Sequence, residues 1–548
     1  MVTTLQISQD SSLSNNKGCI ILAAIDIGTN SVHMIVVRID PALSAFSTIA
    51  REKETVRLGD RDSKTGNLTQ ESMERTIAAL QRCCELANSL EANQIVAVAT
   101  SATREAPNGK EFLHQIKEKV GINVDLISGQ EEARRIYLGV LSGMDFNEKP
   151  HIIIDIGGGS TELILGDSED SRFLSSTKIG AVRLTQEFVK NDPISLTEQV
   201  AMKAYIQGML ERPIDDLKSQ MPDGLEFGLI GTSGTIETLS TVHAMSKLGY
   251  VPSPLNGYQM KRRDIREMVR NFANLSCSAR AMIPGVSERR SEIIFAGSLV
   301  LLETMNMLGI ETITLCERAL REGIIVDWML THGYIDSRLS YQSDVRNRSV
   351  MKIARKYQSD LEHAEHVSSF ALSLFEQTQG TLHSWGTAEK ELLWAAAILH
   401  NCGIHISHSS HHKHSYYLIR NAELLGYTEI ELELIANIAR YHRRSKPKRR
   451  HEAYGQLSDP QKQLVRELSA ILRLAVALDR RQTGAIAQVD CKYDSEYRTL
   501  HLHLFPHLAD DDCSLELWSL NYKKPVFEEE FKIKLVTTLA RMPLQLTN

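Results

Sequence analysis

An internal repeat constrains this chain more than any other feature. The stretch Asp26-Ile27-Gly28-Thr29-Asn30-Ser31 returns 129 residues later as Asp155-Ile156-Gly157-Gly158-Gly159-Ser160. Each copy closes an apolar, β-branched run that ends in aspartate, and each opens into a second apolar run. That pattern predicts two strand–turn–strand hairpins. An offset of about one domain predicts two similar α/β lobes whose turns face one cleft. The chain has 548 residues, and a single core stops growing near ~250–300 residues, so further domains must follow.

The segments between the hairpins fit an α/β reading. Residues 69–91 have helical periodicity, Gln94 to Ala99 is a short buried strand, and Pro107 to Val120 is a second helix. The strand Val124 to Ile127 runs into Ser128-Gly129-Gln130-Glu131, a capping-box pattern that opens a helix to about Leu141. A third glycine turn, Gly231-Thr232-Ser233-Gly234-Thr235, follows the short strand Phe227 to Ile230. After about Asp336 the chain becomes helix-rich and holds most of its histidines. Alternation returns at Thr499 to Leu504. The expected division is a disordered polar tail over 1–18, lobes over 19–135 and 136–335, an all-α domain over 340–490, and a small α/β module over 491–548.

Composition narrows the function classes. The chain is 42% hydrophobic and 24% charged, which excludes wholesale disorder. No apolar run approaches the ~18 residues of a membrane span. The eight cysteines are scattered and form no C-x-x-C pair, which points to reduced thiols and a cytoplasmic location. With a net charge of -6, the chain can bind a polyanion only through a local basic patch or backbone N–H groups.

The motifs point to phosphate. Gly157, Gly158 and Gly159 let the backbone approach a ligand, and successive N–H groups there form an anion-binding concavity. Ser160 adds a hydroxyl, Asn30 and Ser31 do the same from the first lobe, and Gly231, Ser233 and Gly234 form the third loop. Asp26 and Asp155 each end an apolar strand, where a carboxylate can hold Mg²⁺ or bond its own turn. Glu162 shares the strand face of Ser160. Glu131 occupies the capping-box position, while Glu132 lies ~100° further round the helix, free to orient or deprotonate a water. Arg104 follows a buried strand and offers a planar fork for phosphate oxygens.

Two features lie outside the lobes. The histidines His400, His405, His408, His411, His412 and His414 read as a metal site or as a polar loop with packed imidazoles. Asn401, beside His400, is a poorer hard-metal ligand than a carboxylate. Residues 443–450 place Arg443, Arg444, Lys446, Lys448, Arg449 and Arg450 in eight positions. The loop has no stacking aromatics, so it gives no support to specific nucleic-acid recognition; a repeating phosphate chain needs only its charge.

The motifs around Asp26, Ser128-Gly129-Gln130-Glu131-Glu132-Ala133-Arg134, Asp155 and Gly231 resemble the exopolyphosphatase/guanosine pentaphosphatase (Ppx/GppA) family. So do Ile283-Pro284-Gly285 and Ala319-Leu320-Arg321-Glu322-Gly323. The resemblance implies the actin/Hsp70/sugar-kinase fold, with two ribonuclease-H-like lobes around a cleft. Leu399-His400-Asn401-Cys402-Gly403, Tyr441-His442-Arg443-Arg444 and Leu478-Asp479-Arg480 resemble the helical HD-like domain of the long, exopolyphosphatase-like members. By the family pattern, Glu132 is the general base. Asp155 and Glu162 hold Mg²⁺, with Asp26 as the equivalent strand-end carboxylate. Asn30, Ser31, Arg104, Gly157, Gly158, Gly159 and Ser160 bind phosphate. Glu292 stands where relatives commonly have aspartate and receives no role. The expected activity is Mg²⁺-dependent release of terminal orthophosphate from inorganic polyphosphate. Its alternatives are conversion of pppGpp to ppGpp, and an idle binding regulator. The expected assembly is a homodimer with no membrane association.

Overall fold

The structure is a computed structural model that describes residues 20–62, 64–146, 149–221, 227–335, 345–422 and 424–540. The polar segment 1–18 lies outside the described residues. The repeat appears as two sheets with one shared wiring. In the first, β1 (Ile20–Ile27), β2 (Ser31–Asp40), β3 (Ala45–Thr55), β4 (Gln94–Ala99) and β5 (Val124–Leu126) take the order β3-β2-β1-β4-β5. The second sheet contains β6 (His151–Ile156), β7 (Thr161–Gly166), β8 (Ser171–Thr177), β9 (Gly228–Thr232), β10 (Gln259–Lys261) and β11 (Thr312–Leu315). Its order is β10-β11-β9-β6-β7-β8. Each sheet is a three-strand antiparallel meander whose first strand takes a parallel neighbour on its other edge, β4 beside β1 and β9 beside β6. The isoleucine run of β6 and all of β7 are buried, as strands covered on both faces require.

The lobes are not independent bodies. The helix Gly129–Leu141 packs on β7 and β8 and against the helix Leu320–Thr331, which returns to β1 and β2. Gly139 and Gly323 make this crossing close: a Cβ on Gly139 would stand 1.9 Å from the Ala319 carbonyl oxygen, and one on Gly323 1.7 Å from that of Arg135. One apolar cluster therefore joins Leu22, Ala24 and Ile35 to Ile153, Ile164 and Ile230. The expected division at 135/136 falls inside the first of these helices, because its apolar face serves both sheets.

The second half is helical. Six longer helices, Val345–Lys356, Leu361–Thr378, Thr387–Leu399, His411–Arg420, Glu429–Arg440 and Asp459–Leu478, precede β12 (Ile486–Asp494), β13 (Thr499–Pro506) and β14 (Lys534–Leu539). The helix Ser514–Phe531 packs on Asp459–Leu478. In β13, Leu500, Leu502 and Leu504 point inward and join the cluster that begins at Val350. The terminal strands thus share the helical core, and the expected division at 490/491 falls inside β12. Among the described residues no helix is long and apolar enough to cross a membrane.

Candidate active site

The two hairpin turns close alike. The Gly28 N–H donates to the Ser31 carbonyl at 3.1 Å, and the Gly157 N–H to that of Ser160 at 3.0 Å. They meet in a cavity of about 370 Å³. Asp26 ends β1 and Asp155 ends β6, so the repeat delivers two strand-end carboxylates to it. Glu162 stands directly opposite Asp155 in the β6–β7 register and accepts from the Ser176 hydroxyl at 2.7 Å. Glu132 enters from the first turn of its helix, and all four carboxylates line the cavity. Asn30, Ser31, Gly157, Gly158, Gly159, Ser160, Ser233 and Gly234 line it as well.

Crowding buried carboxylates disfavours their charged forms. Asp26 and Asp155 are pushed up to about 7, first by burial and next by Glu132. Glu162 is raised well above the ordinary range by burial and then by Glu132 and Asp155. Burial also raises Glu132, against the pull of Arg104. The Asp26 Oδ1 is buried without a hydrogen-bond partner. These are hard oxygen donors with unmet valence and mutual repulsion, which fits a divalent cation such as Mg²⁺. Among the described residues no three His, Cys, Asp or Glu side chains form a ready-made metal cage. Mg²⁺ does not need one, since it commonly takes one or two carboxylates and fills its shell with water and substrate phosphate.

The cavity also holds cations that sequence reasoning missed. Arg51 and Lys53 come from β3, Arg290 from a short helix, and Arg321 from the start of Leu320–Thr331. None of the four makes an ion pair among the described residues. Lys53 is lowered first by burial and next by Arg290, and burial also lowers Arg290. His33 lies opposite Asp26 in the β1–β2 register and is kept neutral by burial and nearby Arg321. Unpaired guanidinium and ammonium groups in a cleft are ready receptors for phosphate oxygens. Only the placement of His33 had a sequence signal: the four-residue turn fixes which residue faces Asp26.

Several expectations change in detail. Arg104 points at Glu132, its Nη1 3.1 Å from Oε2, and donates to the Ile127 carbonyl at 2.8 Å; it does not line the cavity. Ser128 caps its helix by accepting the Glu131 N–H at 3.1 Å. The Glu131 carboxylate does not point back; it holds Arg134 and Arg135 at 2.7 Å. Gly231 lies within β9, where a Cβ would meet Ile313 at 2.5 Å and Ile236 at 2.8 Å, so it is a packing glycine rather than a phosphate contact. The third turn is absent because β9 passes straight into the helix Ser233–Leu248. Ser233 makes that corner at φ +81°, a conformation that costs a non-glycine residue energy. Gly158 and Gly159 are demanded by the facing lobe: a Cβ on Gly159 would lie 2.6 Å from the hydroxyl oxygens of Thr29 and Ser101.

At the exposed rim the lobes are tied by Arg57 to Glu292 at 3.1 Å and by Arg289 to the Thr55 hydroxyl at 3.1 Å. In the helical domain, His363 bonds Asp479 at 2.7 Å. The rings of His363, His400, His442 and His411 follow one another at 5.0–5.4 Å. Burial keeps His400 neutral, pushed down to about 3, while His405 and His408 are exposed. In the basic loop Arg444, Lys448, Arg449 and Arg450 are exposed. Arg443 reaches His411 at 3.1 Å, and Lys446 pairs with Glu529.

The Ppx/GppA phosphatase family matches residues 35–332, and domain III of that family matches residues 345–524. A guanosine-5'-triphosphate,3'-diphosphate pyrophosphatase of Aeromonas hydrophila is 29% identical over 482 residues, covering 88% of this chain and 92% of its own. A solved exopolyphosphatase from Cytophaga hutchinsonii is similar at 25% identity and a TM-score of 0.53, covering 58% of this chain and 99% of its own. A solved exopolyphosphatase-like protein is similar at 27% identity and a TM-score of 0.51, covering 57% and 98%.

Proposed function

The chain belongs to the Ppx/GppA phosphatase family, and from that premise we propose that it is a magnesium-dependent exopolyphosphatase. The observation that carries this reading is the sorting of charge in one cavity. Asp26, Glu132, Asp155 and Glu162 share the cavity with the unpaired cations Lys53, Arg290 and Arg321. Such a cleft suits a chain of phosphates whose terminal member meets the carboxylates while the members behind it meet the cations.

Asp26, Asp155 and Glu162 would hold Mg²⁺, which when bound supplies charge neutralisation at the phosphoryl oxygens. Glu132 accepts a proton from the water that attacks the terminal phosphorus. The P–O bond to the chain breaks, orthophosphate leaves, and the polyphosphate is one unit shorter. Arg104 holds the Glu132 carboxylate in place. The turns around Asn30, Ser31 and Gly157 to Ser160 present N–H and hydroxyl donors to the transferring group. The exposed arginines and Lys448 of the basic loop attract the distal part of a long chain.

The second reading is removal of the 5′ γ-phosphate of pppGpp by the same groups, which the Aeromonas relative supports. The gathering of Glu132, Asp155 and Glu162 in one cavity argues against an idle binding protein. A cytoplasmic homodimer is the assembly that accompanies this proposal. The test offers long polyphosphate, short polyphosphate and pppGpp in parallel, with Mg²⁺ and with EDTA, and measures orthophosphate release. Faster turnover of pppGpp than of either polyphosphate selects the second reading, and no Mg²⁺-dependent release from any of them overturns both.

A further inference from the structure

A second cavity, of about 460 Å³, lies on the second lobe, away from the carboxylates. It sits between the helix Ser233–Leu248 and the helix Arg262–Asn274. Its volume falls within the ~300–1,000 Å³ range of small-molecule sites. Val242, Met268, Phe272 and Ile283 give it an apolar floor, and Pro284 forms part of the wall. Asp264 and Glu267 line it from adjacent turns of one helix face, and Lys247 is its one lining cation. An apolar slot with two carboxylates repels phosphate and calls for a ligand that brings hydrogen-bond donors, because ionised carboxylates only accept.

His243 supplies the complementary group. Its Nδ1 is 2.8 Å from the Tyr258 hydroxyl, and its Nε2 lies 3.5 Å from an Asp264 carboxylate oxygen. That neighbour favours hydrogen on Nε2, with the tyrosine hydroxyl donating to Nδ1. Burial lowers His243 and keeps the ring neutral. The Nε2 is buried and makes no hydrogen bond, so the cavity offers one free donor beside the carboxylate acceptors. A planar ring whose edge reads acceptor, donor, donor satisfies all three, and guanine has that edge. Adenine presents a donor beside an acceptor and leaves the carboxylates facing a lone pair.

We propose that this cavity is a binding site for a guanine base, with His243 Nε2–H meeting its carbonyl oxygen and the Asp264 and Glu267 carboxylates meeting its N–H donors. The site is connected to the cleft. Ser233 and Gly234, at the start of the helix that forms one wall, line the catalytic cavity. Ala244 lies about 16 Å along the same helix axis at 1.5 Å per residue. The segment from Ile283 leads in seven residues to Arg290, whose guanidinium packs against Gly234. A base seated here therefore pulls on both elements that hold the cation side of the cleft. The inference is independent of which phosphate substrate the cleft hydrolyses.

The test is calorimetric titration of the full chain with guanosine, which carries no phosphate and cannot be hydrolysed. Guanosine should bind saturably, and adenosine at least about tenfold more weakly. Glu267→Gln, at an exposed position, should weaken guanosine about tenfold, the scale of one hydrogen bond to a charged group. Met268→Trp should fill the slot and abolish binding; circular dichroism and unchanged phosphate release will show that this variant is folded. Guanosine added to a polyphosphate assay should change KM or kcat if the base acts as a free effector. Binding without any kinetic change would assign the cavity to the base of a bound nucleotide substrate. Absence of guanosine binding at millimolar concentration, equal affinity for adenosine, or binding indifferent to both substitutions would overturn the proposal.

Discussion

The Arg104 guanidinium lies 3.1 Å from the Glu132 carboxylate and anchors itself on the Ile127 carbonyl at 2.8 Å. The ion pair opposes the burial that would otherwise keep Glu132 protonated. Glu132→Gln should therefore lower turnover by about 10²–10⁴ while polyphosphate binding is kept. Arg104→Ala should move the acid limb of the pH–rate profile to higher pH, because burial then acts on Glu132 unopposed. Glu131→Gln should leave turnover within a few-fold, since its carboxylate serves Arg134 and Arg135. Equal losses at 131 and 132 in steady-state kinetics would refute the assignment.

Asp155→Asn and Glu162→Gln should each abolish stimulation by Mg²⁺, because neutral amides are poor partners for a hard dication. Replacing His400 by Gln should leave the Mg²⁺ response unchanged, since it lies in the helical domain. Phosphate release measured across a Mg²⁺ series separates the two kinds of variant.

The raised carboxylates set a pH dependence. Unfolded, Asp26 and Asp155 titrate near 3.8; folded, both are pushed up to about 7. The folded state then binds more protons, so their contribution to stability is fully present below roughly pH 4 and is lost as pH rises through about 7. Metal-free protein should lose thermal stability from these groups across that window. Mg²⁺, which must displace their protons, should raise Tm more at pH ~8 than at pH ~5.5. An increment in Tm independent of pH would contradict the metal assignment.

Reversing the charges of Arg444, Lys448, Arg449 and Arg450 should raise KM for long polyphosphate several-fold, flatten its salt dependence, and spare the shortest chains. Arg443 and Lys446 should matter less, being held by His411 and Glu529. A chain-length series at two salt concentrations reads this out; equal losses on long and short chains would make the loop a folding element.

Gly159→Ala should destabilise the protein by about 1–3 kcal/mol through overpacking, because its Cβ meets Thr29 and Ser101 of the facing lobe. The midpoint of denaturant unfolding measures it, and an unchanged midpoint would mean that the turns give way without strain.

The two-lobed fold was legible because both copies of the repeat pair a strand-ending aspartate with a turn closed by the same glycine-to-serine hydrogen bond. Glu132 was legible because the cap at Ser128 fixes its phase on the helix. Arg51, Lys53, Arg290 and Arg321 were not, since they come from an edge strand and two helix starts with no shared spacing, and only the packing of the lobes unites them. Gly231 misled for the converse reason: its neighbours imitate a phosphate turn, while its missing side chain makes room for Ile313 and Ile236. The lobe boundary was hidden because Gly129–Leu141 has apolar residues for two sheets at once.

The crossing of Gly139 and Gly323 sets the mechanics of the cleft. Two backbones this close leave no slack, so the lobes are pinned at the base like blades on a rivet. Relative motion is then left to the far edge, where the Arg57–Glu292 pair and the Arg289–Thr55 contact are solvent-exposed and cheap to release. Phosphate leaves through a mouth that opens by breaking two surface contacts, while the carboxylates nearer the rivet keep their spacing from one turnover to the next.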